Sequence, residues 1–173
     1  MRACPAIVGT SLPERDSWAL EEFMDTVISA DPEARVDVTP YRGVLVAYLT
    51  RDPVGVATRF LSYTHAFLAR VYPVLLCTPR DRLSELVDRL ASIVGKVEVK
   101  IEVRLRQPVS RSLSEDEVRR LLISTGMRPG KSGLVVVIES LYDHFVASYG
   151  TAHACGPRCR VVLPFSAGPA GDK

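Results

Sequence analysis

Apolar positions along the 173-residue chain switch between a period of two and a period near 3.6, and the switches fall at proline and glycine. Residues 6–10 are apolar or β-branched and predict a first strand. Ser11-Leu12-Pro13 combines a hydroxyl with a proline, as at a helix start. Trp18, Leu20, Phe23, Met24, Val27 and Ile28 then recur at helical spacing, which predicts a helix to Ala30 with this stripe in the core, stopped at Asp31-Pro32. Residues 34–39 and 43–50 read as a hairpin closed by Pro40-Tyr41-Arg42-Gly43, and Asp52-Pro53 as an N-cap followed by proline at the first helical position. A strand over 71–77 completes the order strand, helix, strand, strand, helix, strand, the βαββαβ pattern of a ferredoxin-like sheet.

Thr78-Pro79 repeats the capping signature ahead of an amphipathic stretch, Leu83, Leu86, Val87, Leu90 and Val94, which Gly95 ends. Residues 97–106 alternate apolar and charged without a break. One face of this strand is thus buried, while Lys100, Arg104 and Arg106 share the other with Glu98 and Glu102. Leu113-Ser114-Glu115-Asp116-Glu117-Val118 fits a capping box with a hydrophobic staple, so a helix begins at Ser114 and runs to Gly126, with Arg119 on its polar side. The uninterrupted apolar run 134–138 predicts a strand covered on both faces, with a further strand at 145–149 beside it. The chain is therefore expected to be α/β (α+β): a ferredoxin-like subdomain over 5–77, an α-β-α-β-β domain over 78–150, and a Gly/Pro-rich, partly disordered tail over 151–173 with one short strand at 160–163.

The net charge of +2 conceals an asymmetry: residues 1–90 carry ten Lys/Arg against twelve Asp/Glu, and residues 91–173 twelve against eight. A basic second half fits an anionic partner. No apolar run is long enough to span a bilayer and no signal peptide is evident, so a cytoplasmic protein is expected. Cys4 and Cys77, each beside apolar residues, read as small buried hydrophobes. His153, Cys155 and Cys159 are the one cluster of metal-capable groups, and three readings stand: a zinc site borrowing Cys77 or Cys4, a disulfide of the thermophile kind, or a free pair. His65 near a helix end and His144 in a turn read as structural.

Catalytic constellations are absent from the pattern. Gly126 to Gly133 contains Gly-Lys-Ser but lacks the first glycine of a phosphate loop and precedes a strand, so it reads as a basic loop. No cofactor is expected. The remaining candidates are cations for phosphate oxygens: Lys100, Arg104, Arg106, Arg111, Arg119, Arg128 and Lys131. Few aromatic residues interleave with them, which disfavours single-strand stacking on that half.

Lys100-Ile101-Glu102-Val103-Arg104, the phrase Leu113 to Arg119, and Leu134-Val135-Val136-Val137-Ile138-Glu139 together resemble the THUMP domain, and Arg70-Val71-Tyr72-Pro73-Val74 resembles the junction with the ferredoxin-like domain that precedes it. The likeness is nearest to stand-alone archaeal THUMP proteins related to the adaptor for tRNA cytidine acetylation. It implies that the chain binds the acceptor region of tRNA by shape, adds Arg70 to the candidate contacts, and implies that the chain catalyses nothing. The sequence stops where a modifying domain would begin in larger relatives, so a separate tRNA-modifying enzyme such as an RNA cytidine acetyltransferase is the expected partner. The alternative expectation is a protein-interaction subunit of a ribosome-assembly or RNA-modification complex; a small-molecule enzyme of ferredoxin-like build comes third.

Overall fold

A computed structural model describes residues 2–165. The first half contains β1 (Ile7–Ser11), α1 (Asp16–Ala30), β2 (Arg35–Val38), β3 (Val44–Tyr48), α2 (Pro53–Thr58) with a 3-10 turn (Arg59–Ser62), and β4 (Leu68–Pro73). The second contains β5 (Leu76–Pro79), α3 (Leu83–Val94), β6 (Glu98–Arg104), α4 (Glu115–Ser124), β7 (Arg128–Pro129), β8 (Leu134–Leu141), β9 (His144–Ala154) and β10 (Arg160–Leu163). The expected α/β build is present, and β2-β3-β1-β4 has the strand order of a ferredoxin-like sheet. Ser114 and Glu117 form the reciprocal capping box, and the Asp52 carboxylate accepts from the Gly55 amide at the start of α2. No described helix is long and apolar enough to cross a membrane.

Several local expectations are corrected. Residues 71–77 are not one strand: the chain leaves β1 at Pro73, and from Leu75 it pairs instead with β9. Thr78-Pro79 closes β5, and α3 starts later, after Arg82, with no side-chain cap. Helix α1 likewise starts at Asp16, whose carboxylate accepts from the Ser11 hydroxyl. Of the stripe expected in the core, Met24 and Ile28 are exposed, as is Trp18 at 53%, because α1 is buried through Ala19, Phe23, Thr26 and Val27, a face rotated away from them. His144 is not in a turn but buried at the start of β9. Cys4 and Cys77 are not free thiols but a disulfide, as are Cys155 and Cys159.

The largest difference concerns the tail. Strand β9 runs on to Ala154, and β10 returns to lie between β4, which it pairs in parallel, and β9. The strand at 160–163 lies where the sequence placed it, but composition hid the extension of β9 and the pairing of β10, because Gly150 lies within β9 and Gly156 and Pro157 form the β9–β10 loop. Gly150 has φ +147, and a Cβ there would meet the Leu163 carbonyl at 1.8 Å, at the point where the partner of β9 changes from β5 to β10. The expected disorder of the last residues, 166–173, lies outside the described residues.

Because β10 bridges the halves, the sheet is continuous in the order β2-β3-β1-β4-β10-β9-β8-β6-β7. All four helices cover one face, in two cores: Ile7, Phe23, Phe60, Val71, Cys155 and Val161 under α1 and α2, and Leu86, Leu90, Val103, Leu122 and Ile138 under α3 and α4. The other face curls inward, so that Val8, Val46 and Tyr72 pack with Val135, Val137 and Val146. The rims meet where the Tyr41 hydroxyl, on the β2–β3 turn, donates to the Gln107 carbonyl and accepts from the Tyr142 amide, each at 3.2 Å.

Asp31 fastens the end of α1 to the end of β3. Its buried carboxylate accepts from the Thr50 amide and hydroxyl at 2.7 and 2.8 Å and from the Arg51 amide at 3.0 Å. Burial alone would raise its pKa, but these hydrogen bonds, with one from Glu33, hold it below the ordinary value of 3.8. Its contribution to stability is therefore complete above that value and is lost as pH falls through the folded pKa. Asp31→Asn should lower stability at neutral pH and flatten its decline below pH 3.8, read from urea unfolding across the acid range; parallel native and variant curves would show that Asp31 does not carry the effect.

Candidate nucleic-acid interface

Strand β6 is where the sequence places most candidate contacts. Its buried positions Val99 and Val103 face α3 and α4, so Glu98, Lys100, Glu102 and Arg104 fall on the opposite, inward-curling face. Lys100 and Arg104 each keep 55% of the side chain exposed, yet both have acidic neighbours: Lys100 Nζ lies 2.9 Å from Glu102, and Arg104 Nη1 4.0 Å from Glu115.

Arg70 and Arg106 are more deeply engaged. Arg70, on β4, pairs with both Glu102 and Glu139, and Arg106 pairs with the other oxygen of Glu139, whose side chain has no exposure. Four strand spacings separate β4 from β6 in the ladder, about 19 Å in a flat sheet, so these contacts exist only because the sheet curls. Burial alone would lower the Arg70 pKa, but the negative charge of Glu139, helped by that of Glu102, raises it. Burial would raise Glu102, yet hydrogen bonds from Lys100 and Arg70 hold it low, and burial beside Glu139 keeps the Tyr72 phenol well above its ordinary value and neutral. The cluster thus joins the two halves as fixed ions. A carboxylate directly after the apolar run 134–138 was the available sequence signal, since a buried charge requires partners.

The remaining candidates are dispersed. Arg119 lies on α4, on the other side of β6, with Asp116 at 3.1 Å. Arg111, Arg128 and Lys131 are exposed and have no carboxylate within ion-pair distance among the described residues. Arg128 pairs with the start of β6 through β7, and the following loop lies over Glu98, which accepts from the Lys131 amide at 2.9 Å. Arg111 stands beyond the far end of β6, bonded to Gln107 at 2.9 Å. Cys155 and Cys159 are bonded to each other, and His153 Nε2 lies 2.9 Å from the Thr151 hydroxyl, so these three are engaged separately.

A second basic surface was not anticipated from the sequence. Arg15 and Arg158, both exposed and without an acidic partner among the described residues, line one cleft of about 400 Å³ with Phe67 and Pro157. Phe67 in turn meets exposed Trp18, ring centroids 5.6 Å apart and tilted by 32°. The five residues come from the first turn of α1 and its N-cap, the approach to β4 and the β9–β10 loop, so no local motif announced them. Guanidinium groups beside an aromatic pair supply phosphate and base-stacking chemistry together. The neighbouring cleft of about 340 Å³ at Glu22, Asp25 and His65 serves structure instead: Glu22 accepts from the amides of Ala66, Phe67 and Leu68, and His65 bonds to the Phe60 carbonyl, its pKa lowered by burial.

No family model matches the sequence, and no curated protein does. Solved structures share its fold. PH1313 from Pyrococcus horikoshii superposes with a TM-score of 0.60 at 12% identity, over 88% of this chain and 56% of that one. TrmN from Thermus thermophilus gives 0.52 at 14%, over 83% and 44%, and a 4-thiouridine synthetase in complex with RNA and bound ATP gives 0.51 at 9%, over 88% and 43%. The chain thus spans about half the length of these proteins or less.

Truncating the central carboxylate should be far more destabilising than removing a peripheral cation. Glu139→Ala leaves the largely buried Arg106 guanidinium without a carboxylate and Arg70 with Glu102 alone, and should lose about 3–5 kcal/mol, whereas Lys100→Ala removes a half-exposed pair and should lose less than about 1 kcal/mol. Urea unfolding of both variants measures the difference; equal losses would show that Glu139 is not the centre of the cluster.

Proposed function

We propose that this chain is a non-catalytic RNA-binding protein of the THUMP type, which holds tRNA by its acceptor region and presents it to a separate tRNA-modifying enzyme, an RNA cytidine acetyltransferase being the partner that the sequence resemblance suggests. The observation that carries the reading is the Arg15–Arg158 cleft with its Phe67–Trp18 pair. Two guanidinium groups without an acidic partner among the described residues suit phosphate oxygens, and an exposed indole suits an unstacked base, as at a single-stranded RNA end. The fold shared with a synthetase solved bound to RNA supports the same direction. Arg128 and Lys131 form a second, purely electrostatic contact that would follow a backbone by shape.

The cations held by Glu139 are scaffold in this reading, not contacts. Arg70 and Arg106 position the two halves, and the RNA meets the unpaired cations at the periphery. A protein-docking role is the competing reading, favoured by exposed Ile93, Leu121 and Ile123 on α3 and α4. Salt separates the two, because phosphate contacts release counterions and an apolar interface does not.

Titration with total tRNA at two salt concentrations tests this, using the native chain, Arg15→Glu/Arg158→Glu, and Arg128→Glu/Lys131→Glu. Native binding should weaken steeply with salt. Each double variant, still folded by circular dichroism, should bind at least tenfold more weakly, with a salt slope reduced by roughly 0.7–0.9 for each phosphate that is no longer neutralised. Absence of native binding at low salt would overturn RNA binding, and an effect confined to Arg128→Glu/Lys131→Glu would move the interface away from the cleft.

A further inference from the structure

Cys4, Cys77 and His144 come from three separate segments: the approach to β1, strand β5 and the start of β9. In the β5–β9 ladder Cys77 faces Val146 and Pro79 faces His144, so Cys77 and His144 are diagonal neighbours on the inward-curling face. Cys4 reaches them from the N-terminal segment, which is anchored where the Ala6 amide donates to the Ala47 carbonyl and the Val74 amide to the Ala6 carbonyl, both at 2.8 Å. A ring nitrogen of His144 and both sulfurs lie within 4.8 Å of one another.

His144 makes this more than a disulfide with a bystander. The residue is 4% exposed, and its Nδ1 is buried without a hydrogen-bond partner among the described residues. A buried imidazole nitrogen left unsatisfied needs a reason. Two sulfurs and one imidazole are also the ligand types of a borderline-soft divalent cation, with bonds of about 2.3 Å to sulfur and about 2.0–2.1 Å to nitrogen. Opening the S–S bond frees the sulfurs to separate to the spacing those bonds require. Burial falls from His144 through partly buried Cys77 to exposed Cys4, which leaves the fourth position facing solvent.

We propose that Cys4, Cys77 and His144 form a zinc site with one position open to water or an exogenous ligand, and that the Cys4–Cys77 disulfide is the oxidised, metal-free form of that site. The interconversion balances with a dithiol reductant. The dithiol passes two electrons and two protons to the S–S bond, leaving two cysteine thiols and itself a cyclic disulfide; Zn²⁺ then displaces one proton from each thiol and takes a lone pair from His144. In both forms the N-terminal segment stays tied to β5, so the exchange alters chemistry at the site without releasing that segment. This site is independent of the RNA surface.

The test uses the full chain carrying Cys155→Ser/Cys159→Ser, which removes the other thiol pair, compared with the same chain bearing His144→Gln or Cys4→Ser. Each is reduced with a phosphine, incubated with zinc, freed of excess metal and analysed for zinc per chain. The reduced parent should retain one zinc and the air-oxidised parent none, while His144→Gln and Cys4→Ser should each bind at least tenfold more weakly. Co²⁺ in place of zinc should give a sulfur-to-metal absorption band in the reduced parent alone. Should the Cys155/Cys159 background misfold, mapping alkylation in the native chain replaces it: zinc should protect Cys4 and Cys77 after reduction. Retention of no zinc by the reduced chain, equal retention by His144→Gln, or alkylation of Cys4 and Cys77 unaffected by zinc would each overturn the proposal.

Discussion

The backbone ladder that β10 makes between β4 and β9 is the constraint from which the rest of the architecture follows. Without it β4 would be the edge of a four-stranded ferredoxin-like sheet, with unpaired amides and carbonyls beside a separate unit. With it the two sheets become one, every helix lies on the same side, and the uncovered side can bury apolar surface only by curling onto itself. The curl brings Arg70 to Glu139 and the Tyr41 turn to Tyr142. The order of the chain thus reverses an intuitive division of labour, because the last strand completes the first half: Cys155, Cys159 and Val161 belong to the core beneath α1 and α2.

Within that frame, charge count and charge availability are different quantities. The second half is rich in cations, but its inward face engages Arg106, Lys100 and Arg104 with Glu139, Glu102 and Glu115, and takes Arg70 from the other half as well. A carboxylate with no exposure is tolerable only when both oxygens are met by fixed cations, and Glu139 has one on each. The network therefore specifies the relative placement of the halves and withholds Arg70 and Arg106 from an anionic ligand, while Lys100 and Arg104 stay half-exposed beside their carboxylates. The exposed cations without a carboxylate partner among the described residues include Arg111, Arg128 and Lys131 in the second half and Arg15 and Arg158 at the cleft.

Local signals were legible where they act locally. The capping box at Ser114, the Asp52-Pro53 helix start, the alternation along β6 and the apolar run of β8 follow from side chain–backbone hydrogen bonding and from periodicity, which need no knowledge of distant residues. Thr78-Pro79 misled because β5 had already claimed those residues for pairing with β9, and a tertiary ladder outweighs a capping preference. The glycines and prolines after Tyr149 misled for a related reason: a strand that must bend and change partners requires the residues that otherwise mark disorder. The Arg15–Arg158 cleft and the Cys4–Cys77 pair were illegible because each joins residues more than 70 positions apart, and no periodicity reports such a meeting.

The two basic surfaces are held in ways that bear on recognition. The Arg158 loop is closed by the Cys155–Cys159 disulfide, by the Cys155 amide donating to the Cys159 carbonyl at 2.9 Å, and by the His65 amide donating to the Cys155 carbonyl at 2.8 Å. Gly156 lies so close to His65 that a Cβ would meet its carbonyl at 1.9 Å, so the loop is seated on the first half without room for a side chain at that point. An arginine on a loop fixed in this way loses little freedom on meeting a phosphate, and preorganisation of that kind turns a modest charge into affinity. Arg128 and Lys131 are less constrained: their segment rests on β6 through the short β7 and the Lys131 amide. In the proposed RNA-binding role the cleft orients the ligand and the β7 loop attracts it, a division that rests on the interlocked strands.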